Sequence, residues 1–217
     1  MPRNPRLCFE GAFYHITSRG DNKEKIFYNE WDRKAMFSLL KEAKSKFCFR
    51  LHAYTLMQNH FHFVIETSEK GTISEIMHHI NGKYTKHFNS MHKRSGHLFQ
   101  GRFHGVLIDK DNYLLEVTRY VHLNPVRVGL VEHPEEYKWS SYRHYIGLAR
   151  NDFVDKELIL DMISPDRSNQ VTMYLNFTKE GLKLDFKKFK DGLYKGAFSP
   201  KKKLIPNEPK YQEIVCN

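Results

Sequence analysis

At 217 residues the chain is long enough for one full domain with an extension and too short for two large ones. Hydrophobic residues make up 40%, with 16 Phe and 12 Tyr, which excludes wholesale disorder, and no run approaches the 18 apolar residues of a membrane span. Lys and Arg outnumber Asp and Glu by 35 to 25, a formal charge of +10, so a polyanionic partner is expected, with nucleic acid ahead of a membrane surface.

The opening stretch, MPRNPRLCFEGAFYH, has no apolar core of a signal peptide. Cys8, Cys48 and Cys216 are widely spaced, odd in number and without a CxxC pair. That usage fits a reducing compartment and no disulfide framework, so the expectation is a cytoplasmic protein.

GAFYHITSRG (11–20) is rich in aromatic and β-branched residues and reads as a strand ending at Gly20. NEWDRKAMFSLLKEAKSKF (29–47) places Trp31, Ala35, Phe37, Leu39, Leu40 and Ala43 in the pattern of an amphipathic helix. FRLHAYTLM (49–57) alternates as a strand, and QN at 58–59 turns it into HFHFVIET (60–67), a hairpin. A helix is predicted over 72–94, with Thr72 as N-cap and Glu75 completing a capping box. FHGVLID (103–109) is a further strand, and DNYLLEVTRYVHLNP (111–125) a helix terminated by its Asn-Pro step. The order β-α-β-β-α-β-α predicts an α+β fold, a ferredoxin-like split βαβ sandwich with an antiparallel sheet and helices on one face.

HPEEYKWSSYRHYIGL (133–148) reads as an aromatic-rich closing segment packed on that core. Two short helices follow over 155–163 and 164–181, the second starting with Ser164 as N-cap and Pro165 at the first helical position. Residues 1–150 thus form the main domain, 151–181 a small C-terminal helical extension, and 182–217 a basic, Gly- and Pro-punctuated tail read as loosely ordered.

The chemistry begins at MQNHFHFVIE (57–66). Alternate residues of a strand share a face, so His60 and His62 converge, and two neutral imidazoles make a reasonable metal half-site. With 13 histidines in the chain, roughly one H-x-H is expected by chance, so a pair hydrogen-bonded at a sheet face explains the motif equally well. In RYVHLNPVRVGLV (119–131) Tyr120 and Asn124 stand at i and i+4 and share a helix face. They offer either a nucleophile beside a hard ligand or a core aromatic beside a helix cap. His122, at i+2, faces away and reads as structural or surface.

NHFHFVIE resembles the His-hydrophobic-His motif of the HUH endonuclease superfamily. RYVHLNPVRVGLV resembles the tyrosine helix of its single-tyrosine transposases, in particular those related to the REP-associated tyrosine transposases. YHITSRG, GHLFQGRFHG (96–105) and YKWSSYRHY (137–145) are similar to further stretches of that group, in the family's order over about 5–148. The resemblance implies that His60 and His62 bind a divalent ion, Mg²⁺ or Mn²⁺, with Asn124 as third ligand. It implies that Tyr120 attacks a DNA phosphate to give a 5′-phosphotyrosine and a free 3′-hydroxyl. Many relatives carry Gln where Asn124 stands, and Asn124 precedes a proline, so a helix-capping role is its alternative.

The implied partner is single-stranded or hairpin-forming DNA, with no membrane, and the sequence leaves monomer and homodimer open. Lys83, Lys86, Lys93 and Arg94 lie along one helix and the loop after it. Most such lysines only solvate a helix face, whereas Arg102, in QGRF, matches the family stretch and Arg19, at a strand end, is a second phosphate candidate. Phe99 is expected as an exposed stacking aromatic. Two rival readings are a domesticated DNA-binding protein without cleavage and a metal-dependent phosphoesterase that uses water as nucleophile.

Overall fold

Period-two alternation builds the centre of the molecule. The computed structural model describes residues 6–150, 153–194 and 214–216. Strands β2 (Phe13–Arg19), β3 (Arg50–Leu56), β4 (His60–Glu66) and β5 (His104–Ile108) form one antiparallel sheet in the order β3-β4-β2-β5. With helix α1 (Glu30–Phe47) joining β2 to β3, and α2 (Ile73–Met91) joining β4 to β5, this is the split βαβ arrangement expected. The short strand β1 (Arg6–Cys8) pairs apart from that sheet, antiparallel to β6 (Ile214–Cys216). Cys48 is a free, exposed thiol. Cys8 is disulfide-bonded, which corrects the expectation of unpaired thiols. The β1–β6 pairing brings together cysteine-bearing ends that lie far apart in sequence.

The two faces of β4 carry different chemistry. Phe61, Phe63 and Ile65 point toward α1 and α2: Phe61 meets Phe99, which meets Tyr84 of α2, and Tyr54, opposite Phe63, meets Phe37 of α1. Helix α1 is held at its start by a capping box between Asn29 and Asp32 and buries Met36, Leu40, Ala43 and Phe47. Trp31, expected on that stripe, is 69% exposed under Lys34. Helix α2 has the Thr72–Glu75 capping box expected and buries Ile76, Ile80, Tyr84 and Phe88.

Helix α3 (Lys110–Arg127) lies on the opposite face, over the histidines, so the helices are not confined to one side of the sheet. It also runs through Pro125 instead of ending there. A proline in a helix interior has no N–H for the carbonyl four residues back, here that of Val121. Thr55 of β3 donates its hydroxyl to that carbonyl at 2.7 Å and so satisfies the group the proline leaves unpaired.

The edge strand β3 is covered rather than exposed. Leu56 donates its N–H to the Trp139 carbonyl, and Ser141 donates its N–H to the Tyr54 carbonyl. Tyr142 and Tyr145, in the short helix α4 (Tyr142–Tyr145), are buried, as expected of the aromatic closing segment. Helix α5 (Glu157–Ile163) follows, but α6 starts later than expected, at Gln170–Gly181. Ser164 ends α5, and its hydroxyl accepts from the Asp166 N–H in the turn between the two helices. A further helix, α7 (Phe186–Tyr194), forms inside the stretch read as a tail and buries Leu193. Residues 195–213 lie outside the described residues.

Candidate active site

Cross-strand register assembles the histidine face. His62 of β4 stands opposite Thr17 of β2 and His60 opposite Arg19, while Thr17 faces His104 of β5 on its other side. His15, two residues before Thr17, therefore joins the same face. Its Nε2 lies 2.9 Å from His62 Nδ1 with the two ring planes 8° apart, and Thr17 Oγ1 lies 3.1 Å from the same nitrogen. Burial, with neighbouring His104 adding to it, pushes the His15 pKa down to about 3, so this imidazole is neutral at physiological pH.

His60 Nδ1 is 2.7 Å from Asn59 Oδ1. An amide oxygen only accepts, so the imidazole donates there and its lone pair is on Nε2, the form a metal ligand needs. The His60 and His62 rings lie 4.9 Å apart, edge to face. These donors fit a divalent ion as a two-imidazole half-site. Among the described residues no third His, Cys, Asp or Glu joins them. An amide, water or the DNA itself would complete the shell, as suits an ion with a preference for oxygen.

Helix α3 places Tyr120 over His62, as the resemblance to the tyrosine helix implies. The Tyr120 ring stands edge-on to His62 at 5.7 Å and to His15 at 5.7 Å. Asn124, one turn on, is buried and donates its Nδ2 to the Tyr120 carbonyl at 2.8 Å, which leaves its own carbonyl oxygen as the group able to ligate. His122 points the other way, as its spacing requires. It is fully buried, with Nδ1 2.6 Å from the Tyr174 hydroxyl and Nε2 2.6 Å from Ser141 Oγ, and burial pushes its pKa down to about 3.

The extension holds the tyrosine helix. Arg119 donates to the Phe177 carbonyl of α6 at 2.9 Å and Arg127 to the Gly181 carbonyl at 2.6 Å. A Cβ at Gly181 would stand 2.5 Å from Arg119 Cδ, so a side chain there would force Arg119 to shift. Burial first, and then Arg119, lower the Arg127 pKa to about 10, while a negative charge on Tyr120 acts in the opposite sense. Arg127 is thus a cation within electrostatic reach of the phenol. From α7, Phe189 packs its ring 5.5 Å from that of Tyr120, which is only 3% exposed.

The cationic candidates separate. Lys83 is ion-paired with Glu42, and Arg94 pairs with Glu24 at 2.9 Å. Lys86 and Arg102 are exposed and make no ion pair among the described residues. Both line a groove of roughly 1180 Å³ between α2 and residues 96–103. Phe99 is buried against Phe61 and is not an exposed stacking platform, which corrects that expectation. Arg19 is exposed beside His60, and its carbonyl accepts from the Gln100 N–H, tying the QGRF segment to the histidine end of the sheet.

His15, Thr17 and Arg127 were not identified from sequence. The alternation of FYHITSR carries a signal for the first two, but only strand register shows which neighbour they meet.

The chain is similar to known proteins in sequence and in fold. The model of the family described as Transposase IS200 like matches residues 8–124, more than half of the chain. The structure of a REP-associated tyrosine transposase bound to a REP hairpin is similar over 73% of this chain and 96% of that one, at 17% identity and a TM-score of 0.57. At that identity the likeness shows the fold. The crystal structure of a candidate transposase from Deinococcus radiodurans R1 aligns over 56% of this chain and 94% of that one, at 12% identity and a TM-score of 0.39. No curated protein matches significantly.

Proposed function

The chain belongs to the IS200-like transposase family, and from that premise we propose that it nicks and rejoins single-stranded or hairpin-forming DNA through Tyr120. The observation that carries this reading is the convergence of Tyr120 on the His60–His62 face from a helix some 60 residues distant in sequence. The hairpin-bound relative of the same fold adds support for the substrate class.

The phenol of Tyr120, once deprotonated, attacks the scissile phosphorus in line. The P–O3′ bond breaks as the tyrosyl P–O bond forms, leaving a 5′-phosphotyrosine and a 3′-hydroxyl that takes up a proton. A tyrosine with an ordinary pKa near 10 requires about 4 kcal/mol to ionise at pH 7. Arg127 favours the phenolate. His60, His62 and the Asn124 carbonyl would hold a divalent ion, Mg²⁺ or Mn²⁺, which when bound withdraws charge from the non-bridging oxygens. Because the bond energy is kept in the phosphotyrosine, the 3′-hydroxyl can reverse or redirect the reaction without ATP. Arg19, beside His60, and the groove cations Lys86 and Arg102 would carry the flanking phosphates.

The test is a denaturing gel of labelled hairpin DNA with Mn²⁺, comparing the wild type with His60→Ala. Metal-dependent cleavage in the wild type and its loss in a folded His60→Ala protein are expected. Unchanged, equally metal-dependent cleavage in the variant would remove the metal-site assignment.

A further inference from the structure

We propose that His15 is a positioning residue for the metal half-site, and that it holds His62 in the tautomer with the proton on Nδ1 and the lone pair on Nε2. The proposal rests on the metal reading above and adds a residue and a role to it.

The case starts from where His15 stands. It is central in β2, its cross-strand partners are Val64 and Val106, and it is 0% exposed. A strand position flanked by two valines and closed to water calls for a β-branched apolar residue. A buried imidazole there is unfavourable unless hydrogen-bonded. Its Nε2 meets His62 Nδ1 at 2.9 Å, and the two rings lie edge to edge with planes 8° apart and centres 5.1 Å apart. Thr17 brings its hydroxyl to the same His62 nitrogen at 3.1 Å. Two neighbours on one face are thus aimed at a single atom of His62.

A hydrogen bond between two neutral imidazoles needs one N–H and one lone pair. If His15 Nε2 accepts, His62 donates from Nδ1 and Nε2 is left able to ligate, matching the form that Asn59 imposes on His60. If His15 donated instead, His62 would carry its proton on Nε2 and the half-site would be closed to a metal. Groups that fix a ligating histidine's other nitrogen set its tautomer and ring orientation, and their loss costs roughly 10–100-fold in metal affinity.

The experiment uses the full chain with ¹⁵N-labelled histidine, free of metal. Long-range ¹H–¹⁵N correlation reads the His62 tautomer, assigned with a His62→Gln sample. The wild type is expected to show His62 protonated at Nδ1. In His15→Phe, which keeps an aromatic ring but no nitrogen, the Nε2-protonated form should grow and Mn²⁺ affinity should fall by roughly 10–100-fold. His15→Gln, whose amide reaches the same place, should recover much of both. A wild-type His62 protonated at Nε2 would overturn the proposal without any variant. So would a His15→Phe protein with unchanged tautomer and unchanged Mn²⁺ affinity. A wild type that binds no Mn²⁺ would overturn the metal reading alone, and the tautomer signals would still decide the role of His15.

Discussion

Thr55→Val is the sharpest stability test of how the tyrosine helix is held. Thr55 is fully buried, and its hydroxyl donates to the Val121 carbonyl that Pro125 leaves without a helical partner. Valine matches the shape of threonine but donates nothing, so the variant strands a buried carbonyl at a cost of about 1–3 kcal/mol. For a chain of this size each kcal/mol corresponds to roughly 2–4 °C, so a cost of about 2 kcal/mol lowers Tm by about 4–8 °C. The decisive comparison is a double-mutant cycle with Pro125→Ala, read by urea denaturation. Alanine restores the N–H for Val121, so Thr55→Val should cost about 1 kcal/mol less in that background. An equal cost in both backgrounds would refute the account, since the hydroxyl would then be serving its other neighbours, the Tyr54 carbonyl and Ser140.

Burial holds His122 far below its ordinary 6.5, so the unfolded chain binds a proton there that the folded chain does not. Stability is therefore intact above about pH 6.5 and falls as pH drops toward 3. His122→Gln should lower the slope of unfolding free energy against pH by up to about 1.4 kcal/mol per unit between about pH 6 and 4, and an unchanged slope would contradict this. Phe189→Ala uncovers Tyr120 and should speed formation of the tyrosyl–DNA adduct under single-turnover conditions; a slower rate would make α7 a support of the nucleophile instead of its cover. In salt titrations of single-stranded DNA binding, Lys86→Ala with Arg102→Ala should reduce the slope of log K against log salt by about 1.4, roughly 0.7 per phosphate contact. Lys83→Ala with Arg94→Ala, whose cations are already paired with Glu42 and Glu24, should change it less, and the reverse ranking would displace the groove as the DNA path.

The strands were legible because a sheet sends alternate side chains to opposite faces, and the helix start at Thr72 because capping is local chemistry. Tyr120, His60 and His62 were legible through motifs, and the structure brings them together. What remained hidden depends on contacts between distant segments. Pro125 reads as a stop until Thr55, on another element, supplies the missing donor. Ser164 and Pro165 look like a helix start, but Ser164 spends its hydroxyl on the Asp166 turn. His15 is a lone histidine in an apolar strand until register sets Thr17 opposite His62. In α7 the basic composition masks Phe189 and Leu193, whose spacing of four residues suits one helix face.

The central claim is that Tyr120 becomes covalently joined to DNA. Its most direct test is peptide-level mass spectrometry of full-length protein incubated with hairpin DNA and Mn²⁺ and then digested with protease and nuclease, wild type beside Tyr120→Phe. The account predicts a nucleotide 5′-phosphate on Tyr120 in the wild type and no adduct in the variant. Cleavage by both proteins without any adduct would contradict it and assign the attack to water. Binding without cleavage by either would leave a DNA-binding protein that keeps the fold.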